Sequence, residues 1–255
     1  MAIAGHKLLA FFLFLMEATT VADGLQTPKG GVVIFCHGSG DSGKGVKRYV
    51  EHVTPSSSQQ LLKDSGIGIE YPDAKLQPYR LMGGYPLRIW FNRYGGMDPS
   101  NPEDTASVEE SANNLNDLID TIIEKKGIPP GKIAIGGFSM GGGIALQTVA
   151  RRQAKSKLGA VFALSSYLCD DSKLWTQLEN KDDNQNNGLT CGVPVFMAHG
   201  TSDSFVEPQW GKTTATKLEK LGVNVQPFVD VPGAGHEMTR EELEDLFQFL
   251  ARSLK

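Results

Sequence analysis

The stretch IAIGGFSMGGGIALQTV, from Ile133 to Val149, restricts what this chain can fold into more than any other. A β-prone run enters it, glycines crowd around Ser139, and Ile144, Ala145, Gln147 and Val149 leave it in a helical pattern. A flexible linker would not join a strand to a helix so directly. A phosphate-binding loop would follow its glycines with a Lys-Ser or Lys-Thr pair, which is missing, and the G-x-G-x-x-G spacing of a dinucleotide loop is out of register. What fits is Gly137-x-Ser139-x-Gly141, a sharp strand-to-helix turn in which flanking glycines bring no Cβ to clash and the serine is held up as a nucleophile.

The surrounding sequence supports that context. Strand-like runs recur at Gly31–Cys36, Ile67–Tyr71, Lys132–Gly136, Ala160–Leu164, Val193–Ala198 and Val223–Asp230, each bounded by Gly, Pro, Asp or Ser. Between them, Val108, Ala112, Leu115, Leu118, Ile119, Ile122 and Ile123 form one apolar helical face, with Ser107 and Glu110 as a capping box and Gly127 then Pro129 as a stop. Pro208 opens another helix through Leu218 and Leu221, and Thr239 with Glu242 caps a last one carrying Leu243, Leu246, Phe247 and Leu250. Strands separated by helices pair in parallel, because a crossover of that length suits a βαβ unit. The expected fold is α/β, a mostly parallel central sheet with helices on both faces, and 255 residues at 40 % hydrophobic suit one such domain.

A serine nucleophile needs a base, and the base needs an orienting carboxylate. VPVFMAHGTSD runs from a strand into Asp203, and VQPFVDVPGAGHE runs from a strand into His236. Ser139, Asp203 and His236 therefore all fall just past the carboxyl ends of candidate parallel strands, the edge where such sheets build sites. Their order along the chain is that of the α/β-hydrolase arrangement. Asp203 competes with a helix N-cap role and with Asp230 as the acid; His37, His52 and His199 compete with His236 as the base. His52 falls in a surface helix and His199 at a strand end, where a hydrogen-bonded structural imidazole is the ordinary outcome.

Acyl transfer also needs two backbone N–H groups to hold the developing oxyanion. One comes from the residue after the nucleophile, Met140, and the other from an early strand-to-helix loop, here HGSGDSG (His37 to Gly43), where Ser39 stands between two glycines. The segment LMGGYPLRIWFNRYGGM mixes aromatics and aliphatics, so Leu81, Trp90 and Phe91 are candidates for the wall of an acyl pocket, with ordinary core packing as the alternative.

Three features bear on partners and location. Lys and Arg total 25 against 29 Asp and Glu, a formal charge of −4 with no basic block to follow a nucleic-acid backbone, so no nucleic-acid partner is expected. His6 and Lys7 precede the apolar LLAFFLFLM, and Thr20-Val21-Ala22 follows as a small-x-Ala site. This pattern predicts a secretory signal peptide over residues 1–22 ahead of a single domain over residues 23–255, and hence a secreted or secretory-pathway protein; a helix packed on a cytoplasmic domain is the alternative. The apolar run is shorter than the roughly 20 residues a membrane-spanning helix needs, so no stable span is expected. Cys169 and Cys191 flank a polar stretch and could close it as a disulfide if the chain is exported, or stand as two unpaired thiols, while Cys36 reads as a buried free thiol.

The motifs HGSGDSG, GGFSMGGG, ALSSYL, HGTSD and GHE, in this order from Phe35 to Glu237, together with WFNRYGG from Trp90 to Gly96, resemble the acyl-protein thioesterase and lysophospholipase family, most of all its lysophospholipase-like protein 1 branch. The likeness covers nearly the whole chain after Gly30. It implies an α/β-hydrolase that cleaves thioester or oxygen-ester bonds of acylated small molecules, lipids or S-acylated proteins, with no metal or organic cofactor. Position by position it places the nucleophile on Ser139, the acid on Asp203, the base on His236 and the oxyanion donors on the backbones of Ser39 and Met140. Ser39 and Met140 depart from the aliphatic residue and glutamine common in the thioesterases proper.

Overall fold

The computed structural model describes residues 30–180 and 187–255. The expected leader over residues 1–22 lies outside them, as does most of the Asn-rich run after Asn180.

Six parallel strands form the central sheet: β1 (Gly31–Cys36), β2 (Ile67–Glu70), β5 (Ile133–Phe138), β6 (Ala160–Leu164), β7 (Val195–Gly200) and β8 (Val229–Val231), in the spatial order β2-β1-β5-β6-β7-β8. β1, β6 and β7 are buried along their whole length. Such unbroken apolar runs follow from helices covering both faces of a parallel sheet. Along β1 the pleat sends Val32, Ile34 and Cys36 into one core and Val33 and Phe35 into the other. The first core is closed by α3 (Thr105–Lys126), α4 (Met140–Ala150), α5 (Lys173–Glu179) and α6 (Pro208–Lys220). The second is closed by α1 (Gly43–Val53), α2 (Ser56–Asp64) and α7 (Arg240–Ser253). Every residue of α4 is buried, so the helix that leaves the serine turn is the most enclosed in the molecule's described part.

The chain leaves β1 toward β2 and later returns on its other side as β5. Strand order reverses there, and open α/β sheets place their crevice at such a switch point, outside the strands' carboxyl ends.

All six expected strands are present, and the last is cut from eight residues to three. Pro227 interrupts it: Val225 bridges to Val195, and regular pairing resumes only at Val229. A second, two-stranded antiparallel sheet, β3 (Leu76–Tyr79) with β4 (Tyr85–Arg88), was not expected. Each strand carries a proline, Pro78 and Pro86, which argues against strand in sequence, yet the two sit opposite one another in the register. The α3 start also differs: Asp104, rather than Ser107, is the N-cap, with its carboxylate accepting from the Ser107 amide. The α7 capping box of Thr239 and Glu242 forms as expected. Among the described residues no helix is long and apolar enough to cross a membrane.

Candidate active site

Ser139 sits between β5 and α4 at φ 54° and ψ −122°, a conformation that costs a non-glycine residue on the order of 1–3 kcal/mol. The packing around it leaves no alternative. A Cβ on Gly137 would lie 2.2 Å from the Cys36 carbonyl oxygen, and one on Gly141 would lie 2.2 Å from the same atom. The end of β1 is pressed against the turn, and only glycine lets α4 begin there. The Ser139 amide donates to the Leu164 carbonyl at 2.8 Å, tying the turn to β6 as well.

From this turn a hydrogen-bonded chain runs outward. Ser139 Oγ lies 3.0 Å from His236 Nε2, and His236 Nδ1 lies 2.7 Å from Asp203 Oδ2. The imidazole stands between the rings of Phe138 and Phe205, at 4.7 and 5.0 Å between centroids. The Asp203 side chain is fully buried, and its other oxygen, Oδ1, accepts from the amides of Phe205 and Val206 at 2.9 Å each. Four donors thus surround one carboxylate, because His199 Nε2 also approaches Oδ2 at 3.3 Å while donating to the Val206 carbonyl at 2.9 Å. Burial holds the His199 imidazole below its ordinary pKa of 6.5, so it is a neutral donor. The structure therefore brings together Ser139, Asp203 and His236. Glu207, not Asp203, is the α6 N-cap, and Asp230 is an exposed partner of Lys212.

The oxyanion candidates flank the serine. Met140 opens α4, where the first amides of a helix have no intrahelical acceptor. Ser39 occupies a turn closed by Asp41 N–H donating to the Gly38 carbonyl at 3.3 Å, with Gly40 at φ 82° as a type II turn requires. The turn is held from two sides. The Gly40 amide donates to the Arg88 carbonyl at the end of β4, and the Trp90 indole donates to the His37 carbonyl at 2.9 Å. His37, fully buried, accepts from the Ala74 amide at Nε2, which leaves Nδ1 to donate to the Gly38 carbonyl. Its role is to fix this loop, the HGSGDSG segment to which it belongs in sequence.

On two points the sequence left alternatives open. Trp90 and Phe91 are 4 % and 2 % exposed and belong to the core beneath the site, with Leu81 packed against that core. The indole is drawn inward because its N–H finds an acceptor in His37. Cys169 and Cys191 are not bridged. Cys169 Sγ is buried 3.3 Å from Arg93 Nη1 and Cys191 Sγ faces the Gly188 carbonyl at 2.9 Å, so each thiol has its own partner. Burial pushes the Cys169 thiol up to about 12. Phe138, Phe205 and His199 were not singled out as parts of the site, since nothing in a sequence tells which ring or second histidine will pack on the first. Among the described residues no three His, Cys, Asp or Glu side chains converge as a bound metal ion would require.

A serine raised on a strand-to-helix turn at the switch point of a parallel sheet, hydrogen-bonded to a histidine and through it to an aspartate, defines an α/β-hydrolase of the serine type. Comparison narrows the class: the sequence matches the phospholipase/carboxylesterase family over residues 18–254, and the chain belongs to that family. It is 34 % identical over 242 residues to acyl-protein thioesterase 1 of Debaryomyces hansenii, covering 94 % of this chain and 98 % of the relative. It is 35 % identical to mouse lysophospholipase-like protein 1, covering 87 % and 86 %. Among solved structures, Arabidopsis thaliana SOBER1 superposes with a TM-score of 0.72 at 26 % identity, covering 88 % of this chain and 99 % of that one. The chain is a carboxylic-ester hydrolase.

Proposed function

We propose that this enzyme hydrolyses oxygen esters and thioesters of acylated proteins or lipids in two steps through an acyl-enzyme on Ser139. The observation that carries the reading is the chain Ser139 Oγ, His236 Nε2, His236 Nδ1, Asp203 Oδ2 at 3.0 and 2.7 Å. His236 takes the serine proton as Oγ attacks the acyl carbonyl, and Asp203 fixes the tautomer that leaves Nε2 free to accept it. The amides of Ser39 and Met140 stabilise the tetrahedral oxyanion, each worth roughly 3 kcal/mol at the transition state. His236 then protonates the departing alkoxide or thiolate, and water activated by the same ring releases the acid. The names of the relatives at 34 % and 35 % identity, a thioesterase of acyl-proteins and a lysophospholipase-like protein, support both substrate classes.

Ser139→Ala should fold normally and lose hydrolysis of p-nitrophenyl octanoate together with labelling by a fluorophosphonate probe. Wild-type turnover in that variant would refute the assignment. Export through residues 1–22 belongs to the same reading and is supported by the charge, apolar run and small-x-Ala pattern alone; sequencing the amino terminus of the natively produced protein tests it.

A further inference from the structure

Beside the catalytic histidine lies a cleft of about 340 Å³ that the reaction scheme does not yet use. Its floor is the turn that presents Ser39: a Cβ on Gly38 would lie 3.4 Å from the Phe138 ring and 3.5 Å from Ser139 Cβ, so the cleft begins at the nucleophile. Val46 and Tyr49 of α1, with Phe138, wall it, and His236 lines it. The Tyr49 hydroxyl is committed to the Met238 carbonyl at 2.9 Å, which fixes the ring as part of the wall and ties α1 to the histidine loop. Two acidic residues, Asp41 and Glu237, line it, one from each loop, and among the described residues no lysine or arginine does. The volume falls at the lower end of the roughly 300–1,000 Å³ of small-ligand sites.

We infer that this cleft receives the leaving group of the substrate and selects one that carries a positive charge. The inference rests on the catalytic roles proposed above and follows from their geometry. The acyl carbonyl carbon bonds to Ser139, and the departing oxygen or sulfur must lie where His236 can hand it a proton, so the alcohol or thiol portion is directed to the histidine's side. There it meets an aromatic face and two carboxylates, the surroundings in which an ammonium or guanidinium group is favoured over a neutral or anionic one. Two sources share this chemistry: a quaternary ammonium alcohol, as in a choline ester, and a cysteine peptide with lysine beside the acylated thiol.

The test compares octanoylcholine with its uncharged isostere, 3,3-dimethylbutyl octanoate, each kcat/KM divided by the hydroxide-catalysed rate of the same ester because the ammonium also improves the leaving group. The corrected ratio should favour the cation by about ten-fold at low salt, from one cation–π contact and two partly screened carboxylates, and should shrink as salt is raised. In Asp41→Asn/Glu237→Gln the ratio should fall to within about two-fold of unity, and the ratio, not the absolute rate, is the readout. A second arm uses S-octanoyl peptides with Lys or Gln flanking the cysteine: a lysine preference abolished by the same variant assigns the site to peptides, and its absence with the choline preference intact assigns it to small alcohols. Equal corrected rates for all pairs, or a ratio unmoved by the double variant, would overturn the proposal while leaving the hydrolase intact. Hydrolysis of none of the substrates would remove both.

Discussion

Asp203 has a histidine on either side, and the two could hardly be treated more differently. His199 and His236 both reach Oδ2, at 3.3 and 2.7 Å. His199 is 1 % exposed, donates also to the Val206 carbonyl, and is held neutral by burial. His236 is 19 % exposed, is flanked by two aromatic rings, and has Ser139 at its far nitrogen. One imidazole completes the hydrogen bonding of the acid from inside the protein, and the other carries the acid's influence out to the nucleophile. The same residue type therefore serves as scaffold or as reagent according to whether its second nitrogen meets the core or the cleft.

Removing the shared carboxylate breaks both halves at once. Asp203→Asn should lower kcat by about 10⁴-fold, because an amide cannot enforce the tautomer that leaves Nε2 free. Steady-state turnover of a p-nitrophenyl ester measures it, and a loss of under ten-fold would mean that His236 is oriented some other way.

Breaking only the inner half should cost less and should separate rate from stability. His199→Leu withdraws one charged hydrogen bond, about 1.5 kcal/mol at the weak end of such bonds, and kcat should fall about ten-fold. His199→Gln, whose amide can still donate toward Oδ2, should recover most of it. The inner histidine also leaves a mark on the pH dependence of folding. Its folded pKa lies below the ordinary 6.5, so the unfolded chain takes up the proton first; its contribution is complete above pH 6.5 and is lost as pH falls through the folded value. His37, likewise buried and lowered, acts in the same direction. His199→Gln should accordingly flatten part, not all, of the stability loss below pH 6.5 in urea titrations. An unchanged slope would show that His199 titrates alike in both states.

The smallest effect should come from pressing on His199 from behind. A Cβ at Gly211, in the first turn of α6, would lie 2.5 Å from His199 Nδ1. Gly211→Ala should destabilise the fold by about 1–3 kcal/mol through overpacking, with a few-fold rate loss as the ring shifts on Asp203. Thermal unfolding and turnover together check it. A stability loss with no change in rate would show that His199 supports only the fold.

Much of this site was legible in the sequence because its parts are local. A strand-to-helix turn with glycines two residues either side of Ser139 states its purpose within a short segment, and Asp203 and His236 each follow a recognisable strand by a few residues. The hairpin of β3 and β4 was not legible, since Pro78 and Pro86 contradict strand propensity, and both stand in a two-stranded sheet where each strand is an edge. The apolar character of Trp90 and Phe91 was plain, but not its direction. Composition shows that a ring will be buried; whether it lines a cleft or the core depends on where its neighbours leave space and, for Trp90, on an acceptor 53 residues away at His37.

The division has a physical basis. Periodicity, turn chemistry and chain order are properties of neighbouring residues, and they sufficed for a parallel α/β sheet and for Ser139, Asp203 and His236 at its carboxyl edge. Everything that depends on distances between separate loops waited for the tertiary structure. His199 shares an oxygen with His236, His37 braces the Ser39 turn, Cys169 meets Arg93 instead of Cys191, and Asp41 and Glu237 face one cleft. Those pairings are set when the strands align and bring their ends to one edge, a step that no stretch of sequence contains by itself.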